Sequence, residues 1–240
     1  MAKPNRILVK ERLRKDALVS LSDEAARYAR DVMRLREGRE ILLFNGVDGE
    51  WLGVVEAVSK KEFVVGVGEQ TRLQAAEKLM DVELIFSVLR HGNQDFLIQK
   101  ATELGAMKLT PVLNAHSVAK DFNVERAEAI AREAAEQSER LSVPEISAIA
   151  PLAKVLAAFD FSARTLVYFD ERQSENARLA EDFRRLQAKS ISLLVGPEGG
   201  FSEEEFALLA RTPAIPITLG RLILRAETAA IAALSLWNLR

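Results

Sequence analysis

The chain has 240 residues, 48% of them hydrophobic and 28% charged, a composition ordinary for a globular protein long enough to build a substantial core. It has no cysteine, which excludes a disulfide framework and a thiolate metal site, and its two histidines lack carboxylates at ligand spacing, so we expect no metal. Because no apolar run is long enough to span a membrane and no signal-peptide core is visible, we expect a cytoplasmic protein.

Charge is unevenly distributed along the chain, although the formal net charge is only −2. Residues 1–39 carry eleven Lys or Arg against six Asp or Glu, a net charge of +5, which leaves −7 for residues 40–240. A basic segment on an otherwise acidic protein is typical of a partner with a phosphate backbone. The alternative interpretation is a solvated surface of long charged side chains.

The first part of the chain is predicted to form short strands separated by turns. One helix interrupts them, with Ser22 as its N-cap and apolar residues at helical spacing after it. This pattern indicates a small β-barrel in residues 1–72, in which Trp51 is either a core residue or a platform for stacking on a base. The predicted strands are Arg6–Val9, Glu40–Phe44, Glu50–Val58 and Glu62–Val67.

From residue 73 onward, predicted strands and helices alternate. The run Val82–Val88 is almost continuously apolar, which is typical of a strand buried on both faces of a sheet. The alternation predicts an α/β domain over residues 73–240 with a parallel sheet covered by helices. The other predicted strands are Leu109–Leu113, Thr165–Phe169, Ser190–Val195 and Ile215–Leu219, and the predicted helices are Asp95–Leu104, Val124–Arg140, Leu152–Phe159, Asn176–Gln187, Glu203–Ala210 and Ala226–Leu239.

Two glycine-containing turns follow the last two predicted strands. The first is Gly196-Pro-Glu-Gly-Gly200, after which Ser202 is placed as a helix N-cap; the second begins at Gly220 and leads to a helix at Ala226. Ligands bind beyond the carboxyl ends of parallel strands, so these turns predict one pocket for a nucleotide-like ligand. Neither turn matches a Walker loop or a dinucleotide fingerprint, and bare tight turns are the alternative.

The same residues resemble a known family. LLVGPEGGFSEEE at 193–205 and LGRLILRAETA at 219–229 resemble the two C-terminal signatures of the RsmE family, the 16S ribosomal RNA (uracil-N3)-methyltransferases of the SPOUT superfamily. Phe96–Gly105 and Arg132–Arg140 resemble helices of that family, and residues 32–46 are similar to its PUA-like RNA-binding domain. The resemblance implies a SPOUT domain with a C-terminal trefoil knot, an exception to the rule against knots, after a PUA-like β-barrel. It also implies a homodimer in which the last helix packs against its copy.

The resemblance further implies S-adenosylmethionine as the cofactor, bound by the two turns and a neighbouring strand end. The implied activity is methylation of N3 of a uridine in 16S ribosomal RNA of the small subunit. The implied cofactor-binding residues are Phe169, Glu171, Val195, Gly196, Pro197, Glu198, Gly199, Gly200, Leu219, Gly220, Leu222, Leu224, Arg225 and Thr228.

The chemistry of this reaction directs attention to the arginines of the second turn. Uracil N3 must lose a proton, and a guanidinium beside the methyl donor would stabilise the resulting anion. Arg225 and Arg221 are the candidate catalytic residues, with Arg225 first because it leads directly into the last helix. Alternatively, an arginine pairs with Glu198 or Glu227 to hold the turn, and these two carboxylates are either bases or helix-capping groups.

RNA recognition is assigned to the basic N-terminal segment, where Arg6, Arg30 and Arg34 are the candidate phosphate contacts. A second function from a different class stays open at this point. The chain could be a noncatalytic RNA-binding or ribosome-assembly module with a vestigial pocket. The intact glycine turns and both arginines favour the enzyme.

Overall fold

A computed structural model describes residues 4–59, 62–170, 172, 186 and 188–238 of the chain. Contacts between Cα atoms divide these residues into two compact units. The first contains the described residues up to Lys78 together with Ala135–Val143, and the second contains Leu79–Ala134 and the described residues from Pro144 onward. The first unit therefore includes Ala135–Val143, a segment distant in sequence that lies outside the predicted domain of residues 1–72.

The first unit contains a five-stranded sheet with the order β1-β3-β4-β5-β2. Strands β1 and β3 are parallel, and the other neighbours are antiparallel. Ser22 caps the helix α1 as predicted, because its side chain accepts a hydrogen bond from the backbone N–H of Ala25; α1 then continues as a π-helical turn, Tyr28–Val32. The elements are β1 (Asn5–Leu8), β2 (Leu18–Ser20), α1 (Asp23–Arg27), β3 (Glu40–Phe44), β4 (Glu50–Val58) and β5 (Phe63–Arg72).

Arg6 lies inside the first unit and is only 6% exposed. Its Nε donates to Glu50 at 2.7 Å, and its other nitrogens donate to the backbone carbonyls of Ala135, Glu136 and Arg140 at 2.7–3.1 Å. The guanidinium also lies over the ring of Phe44, 4.5 Å from its centroid. Because these acceptors occupy the buried guanidinium, the expectation that Arg6 contacts RNA is wrong: this side chain holds the distant segment in place.

The second unit contains a parallel sheet with the strand order β12-β10-β11-β6-β7-β8 among the described residues, with β9 also paired to β7. Its centre is β6, whose side chains from Val82 to Ser87 are all buried, as expected for a strand covered on both faces. The strands are β6 (Asp81–Ser87), β7 (Lys108–Leu113), β8 (Glu145–Ile146), β9 (Ala150–Pro151), β10 (Thr165–Phe169), β11 (Ser190–Val195) and β12 (Ile215–Ile217).

Helices separate the strands of this sheet. Helix α2 ends before Gly105, which adopts φ +83° as expected of a C′ glycine. Helix α5 begins with a complete capping box, in which Ser202 and Glu205 bond each other's backbone N–H groups. The described helices are α2 (His91–Glu103), α3 (Val124–Gln137), α4 (Leu152–Ala157), α5 (Glu203–Ala210) and α6 (Ala226–Asn238).

The predicted fold class is confirmed: a small N-terminal β domain is followed by an α/β part with a parallel sheet. The predicted helix Asn176–Gln187 lies outside the described residues except for Leu186. No helix among the described residues is long and apolar enough to cross a membrane. Among the same residues, no group of three His, Asp or Glu side chains could hold a metal ion.

Candidate functional site

A pocket lies at the carboxyl edge of the parallel sheet, where β10, β11 and β12 end. It is built from two chain segments, which we call the first turn (Val195–Gly200) and the second turn (Leu219–Arg225). Ligands of open parallel sheets bind at this edge. The lining residues are Phe169, Asp170, Val195, Gly196, Pro197, Glu198, Gly200, Phe201, Phe206, Thr218, Leu219, Gly220, Leu222, Ile223, Leu224, Ala226 and Ala229.

The first turn is fixed by packing on both sides. The backbone N–H of Gly200 donates to the carbonyl of Pro197 at 2.9 Å, and Gly200 adopts φ +71°, a conformation that favours glycine. The ring of buried Phe201 lies so close to Gly196 that an added Cβ would come within 2.9 Å of it. A Cβ on Gly199 would come within 3.1 Å of the Cβ of His116. Side chains at these glycines would therefore displace neighbours that shape the turn.

The second turn has fewer constraints. The hydroxyl of Thr218 donates to the carbonyl of Gly220 at 3.1 Å, and Gly220 adopts φ +114° with no atom within 4 Å of an added Cβ. The side chains of Leu222 and Ile223 are 80% and 82% exposed, unusual values for neighbouring aliphatic residues. The second turn thus presents apolar side chains and an open backbone beside the pocket.

An acidic group lies in the wall formed by the end of β10. Asp170 is 2% exposed, and its carboxylate accepts hydrogen bonds from Nε and Nη2 of Arg172 at 3.0 and 2.9 Å. The Arg172 guanidinium lies 3.3 Å from the ring centroid of Phe206, which also lines the pocket. The hydrogen bond to Asp170 raises the pKa of Arg172, and burial raises the pKa of the nearby Tyr168 hydroxyl. Both side chains therefore keep their protons at neutral pH.

Most of the predicted cofactor-binding residues come together in this pocket, but three described ones are not among its lining residues: Gly199, Arg225 and Thr228. Gly199 faces His116, and its φ is not positive. A glycine at this position is therefore explained by the close contact with His116 and not by a left-handed backbone. Glu171 lies outside the described residues.

The two candidate catalytic arginines, Arg221 and Arg225, are exposed, and neither forms an ion pair with a described residue. The carbonyl of Arg225 accepts a hydrogen bond from the backbone N–H of Ala229, so Arg225 stands at the entry to α6. Glu198 is exposed at the pocket. The Oε2 atom of Glu227 is buried and has no hydrogen-bond partner among the described residues. The alternative in which either arginine pairs with Glu198 or Glu227 is not realised in this structure.

Two predicted RNA contacts, Arg30 and Arg34, lie on the surface of the first unit. Arg34 is exposed and adopts φ +56°, directly after the π-helical turn. Arg30 donates to the carboxylate of Asp31 and to the backbone carbonyl of Ser59. Trp51 is partly buried against the core of this unit, and its ring N–H donates to the backbone carbonyl of Asp48. The core interpretation of Trp51 therefore agrees with the structure.

The predicted cofactor-binding residues did not include seven residues that line the pocket: Asp170, Phe201, Phe206, Thr218, Ile223, Ala226 and Ala229. Six of them, all but Phe206, adjoin predicted site residues and could have been included by continuity along the chain. Phe206 lies near the beginning of α5, four residues after Ser202. Residues four apart on a helix share a face, so its position could have been predicted once Ser202 had been assigned as the N-cap.

The fold is that of an α/β ligand-binding domain preceded by a small β domain, and family models identify this arrangement as that of an RNA methyltransferase. The family model for the RNA methyltransferase domain matches residues 76–238, and that for the RNA methyltransferase PUA domain matches residues 21–67. Ribosomal RNA small subunit methyltransferase E of Rickettsia conorii is 32% identical over 97% of this chain and 94% of its own length. The same protein of Bacillus subtilis is 30% identical over 95% and 92%. The chain therefore belongs to the family of ribosomal RNA small subunit methyltransferase E, RsmE, as the resemblance predicted.

Solved structures show the same similarity. A Legionella pneumophila protein solved with the bound cofactor SAM superposes with a TM-score of 0.86 at 27% identity, covering 99% of this chain and 98% of that one. Ribosomal RNA small subunit methyltransferase E from Neisseria gonorrhoeae, bound to S-adenosyl methionine, gives 0.84 at 26% identity, with 97% and 96% covered. The similarity thus spans both units of the chain.

Proposed function

We propose that this protein transfers a methyl group from S-adenosylmethionine to N3 of a uridine in the 16S ribosomal RNA of the small subunit. The observation that carries the proposal is the meeting of two glycine turns in one pocket at the carboxyl edge of a parallel sheet. Membership of the RsmE family supports the substrate class, and two similar structures that contain the cofactor support its identity.

The residues of the pocket fit this cofactor in shape and in charge. An adenine ring needs flat apolar walls, which Val195, Pro197, Leu219 and Leu224 provide, together with backbone groups for its polar edge. The cofactor also carries positive charge, which the exposed carboxylate of Glu198 in the lining would balance, whereas that of Asp170 is already paired with Arg172. A Cβ at Gly220 would project into open space, so the backbone there is accessible to a ligand.

S-adenosylmethionine, when bound, supplies an electrophilic methyl carbon on a sulfonium centre. The protein's own residues must align the target base and stabilise the negative charge that develops on uracil when N3 loses its proton. Arg225 suits this role because it stands at the start of α6 beside the pocket and no described carboxylate neutralises it. Arg221, on the same turn, is the second candidate.

We propose that residues 1–72 form the PUA-like domain that recognises RNA and that residues 73–240 form the catalytic domain. The matched PUA domain includes Arg30 and Arg34 but not the buried Arg6. Arg34→Glu should weaken RNA binding. The slope of the logarithm of the binding constant against the logarithm of salt concentration should fall in magnitude by about one to two, since fewer counterions are released. Filter binding at several salt concentrations measures this, with exposed Arg211→Glu of the second unit as the matched control. Equal slopes for the wild type and Arg34→Glu would contradict the assignment.

We further propose that the protein acts as a homodimer in the cytoplasm. Support comes from α6, which is apolar around most of its circumference, and from the exposed Leu222 and Ile223 beside it. Light scattering coupled to size exclusion tests the dimer directly: a monomer's mass across the accessible concentration range would contradict it.

Calorimetry with S-adenosylmethionine, followed by mass-spectrometric mapping of 16S RNA methylated in vitro, tests the proposed activity. We expect saturable binding and one new methyl group on a uridine base. A protein that binds RNA but not the cofactor would instead be the noncatalytic ribosome-assembly module.

A further inference from the structure

The carboxylate of Glu205 accepts three hydrogen bonds from two separate parts of the second unit. Its Oε2 accepts from the backbone N–H of Ser202 at 2.9 Å, which completes the capping box of α5. Its Oε1 accepts from the backbone N–H of Ala115 at 2.9 Å and from the Asn114 side-chain amide at 3.0 Å. A capping box needs only the first of these bonds, so the other two require a different explanation.

Asn114 and Ala115 belong to the loop that follows β7, at the same carboxyl edge of the sheet as the pocket. The side chain of Asn114 is buried, and its Oδ1 accepts a hydrogen bond from the hydroxyl of Ser87 at the end of β6. The backbone N–H of Asn114 donates to the hydroxyl of Ser117 at 2.8 Å. The loop is thus fixed to the ends of two central strands.

The same loop touches the first turn of the pocket directly. Nδ1 of His116 lies 3.0 Å from the carbonyl oxygen of Gly200, within hydrogen-bond distance. The Cβ of His116 lies where it would meet a side chain at Gly199. Glu205 therefore ties the loop to α5 on one side of the first turn while His116 contacts the turn itself.

We propose that Glu205 is a positioning residue for the pocket: by holding residues 114–116 against the first turn, its carboxylate fixes the backbone of Gly199 and Gly200 in the shape that binds the cofactor. The inference rests on the proposed function, because it concerns affinity for S-adenosylmethionine. Glu205 does not line the pocket, so any effect on affinity must pass through the turn.

An alanine at position 205 removes all three of these bonds. A glutamine with its amide oxygen at the Oε1 position would keep both bonds from the loop and lose only the bond from Ser202, so it does not test the tie. The alanine leaves the backbone N–H groups of Ser202 and Ala115 without a partner in a partly buried place, which is costly. Ser202→Ala is the matched control: it removes the hydroxyl that accepts from the Glu205 N–H but leaves all three bonds of the carboxylate.

The experiment measures S-adenosylmethionine affinity by calorimetry, well below the melting temperature, for the wild type and for Glu205→Ala, Asn114→Ala and Ser202→Ala. We expect Glu205→Ala to weaken binding by about tenfold or more, the equivalent of one lost hydrogen bond to a charged group. Asn114→Ala should weaken it in the same direction, and the double variant should lose less than the sum of the two. Ser202→Ala should lower the melting temperature and leave the affinity near wild type.

A second measurement does not depend on any variant's folding. Because coupling between two sites is reciprocal, binding of S-adenosylmethionine to the wild type should slow hydrogen exchange of the Ala115 amide, whose N–H donates to Glu205. Unaltered exchange at Ala115, or equal affinity losses for Glu205→Ala and Ser202→Ala, would overturn the positioning role. A wild-type protein that does not bind the cofactor at all would overturn the proposed function itself, and this inference with it.

Discussion

The two turns of the pocket differ in how they are held. The first turn is fixed by neighbours from outside it: the Phe201 ring lies against Gly196, and His116 lies against Gly199. The second turn is held by the hydrogen bond from Thr218 and leaves Leu222, Ile223 and both arginines exposed. A rigid half can define the shape of a ligand site, while an open half keeps its side chains available for substrate or for a second subunit.

The glycines of such a pocket do not all have the same cause, and close packing explains glycines of the first turn only. Gly196 leaves room for an aromatic ring of the core, whereas Gly220 permits a backbone conformation that other residues rarely adopt. Changes in the first turn should therefore affect stability and cofactor affinity together. Changes in the second turn should affect catalysis or assembly and leave the fold unchanged.

The largest expected effect is a loss of catalytic rate on substitution of Arg225 in the second turn. Arg225→Ala should lower the chemical rate by about 10²–10³, as loss of one preorganised donor to a developing anion does. Cofactor affinity and melting temperature should stay near wild type, because Arg225 forms no ion pair with a described residue and does not line the pocket. Single-turnover methylation across pH measures the effect, and higher pH should restore part of the rate as more uracil ionises unaided.

Arg225→Lys serves as the control for this variant, with partial rescue expected because an ammonium lacks the planar guanidinium fork. A wild-type rate in Arg225→Ala, or a defect confined to cofactor affinity, would reduce Arg225 to a structural residue of the turn.

The next largest effect is a loss of stability and cofactor affinity on substitution of Gly196 in the first turn. Gly196→Ala places a Cβ 2.9 Å from Cε2 of Phe201, a ring that is 7% exposed and belongs to a hydrophobic core cluster. Such overpacking typically costs about 1–3 kcal/mol of unfolding free energy, and affinity for S-adenosylmethionine should fall as the turn shifts. Urea denaturation and calorimetry measure the two quantities. Gly92→Ala, where an added Cβ meets no atom within 4 Å, is the matched control and should not lose stability.

The smallest effect on stability is expected for Leu222→Ser combined with Ile223→Ser. Both side chains are exposed, so the unfolding free energy of the single chain should change by no more than about 0.5 kcal/mol per site. Light scattering at matched concentrations measures the molar mass of the wild type and the variant, and a lower mass for the variant would show that these side chains are covered in a dimer. A large loss of stability without any change in mass would mean that the second turn is more constrained than its contacts indicate.

Local sequence patterns predicted much of the regular structure. Strands β3, β4, β10 and β11 and helix α5 have the predicted bounds, because period-two alternation, buried apolar runs and an N-cap are all local signals. Short elements without such signals were missed, namely β2 (Leu18–Ser20), β8 (Glu145–Ile146) and β9 (Ala150–Pro151). The π-helical turn after α1 was also not predicted, since the apolar spacing there is compatible with both an α-helix and a π-helix.

Local patterns in the sequence were enough to predict an α/β part with two glycine turns after a small basic β domain, and the resemblance carried by those turns predicted the family. Only the tertiary structure decided which charged and small residues serve the fold. Arg6 meets carbonyls about 130 residues away, and Gly199 faces a histidine from another strand's loop. The physical reason is that burial and hydrogen-bond partners depend on distant segments that no local pattern specifies, whereas caps, turns and strand alternation depend on neighbours in the chain.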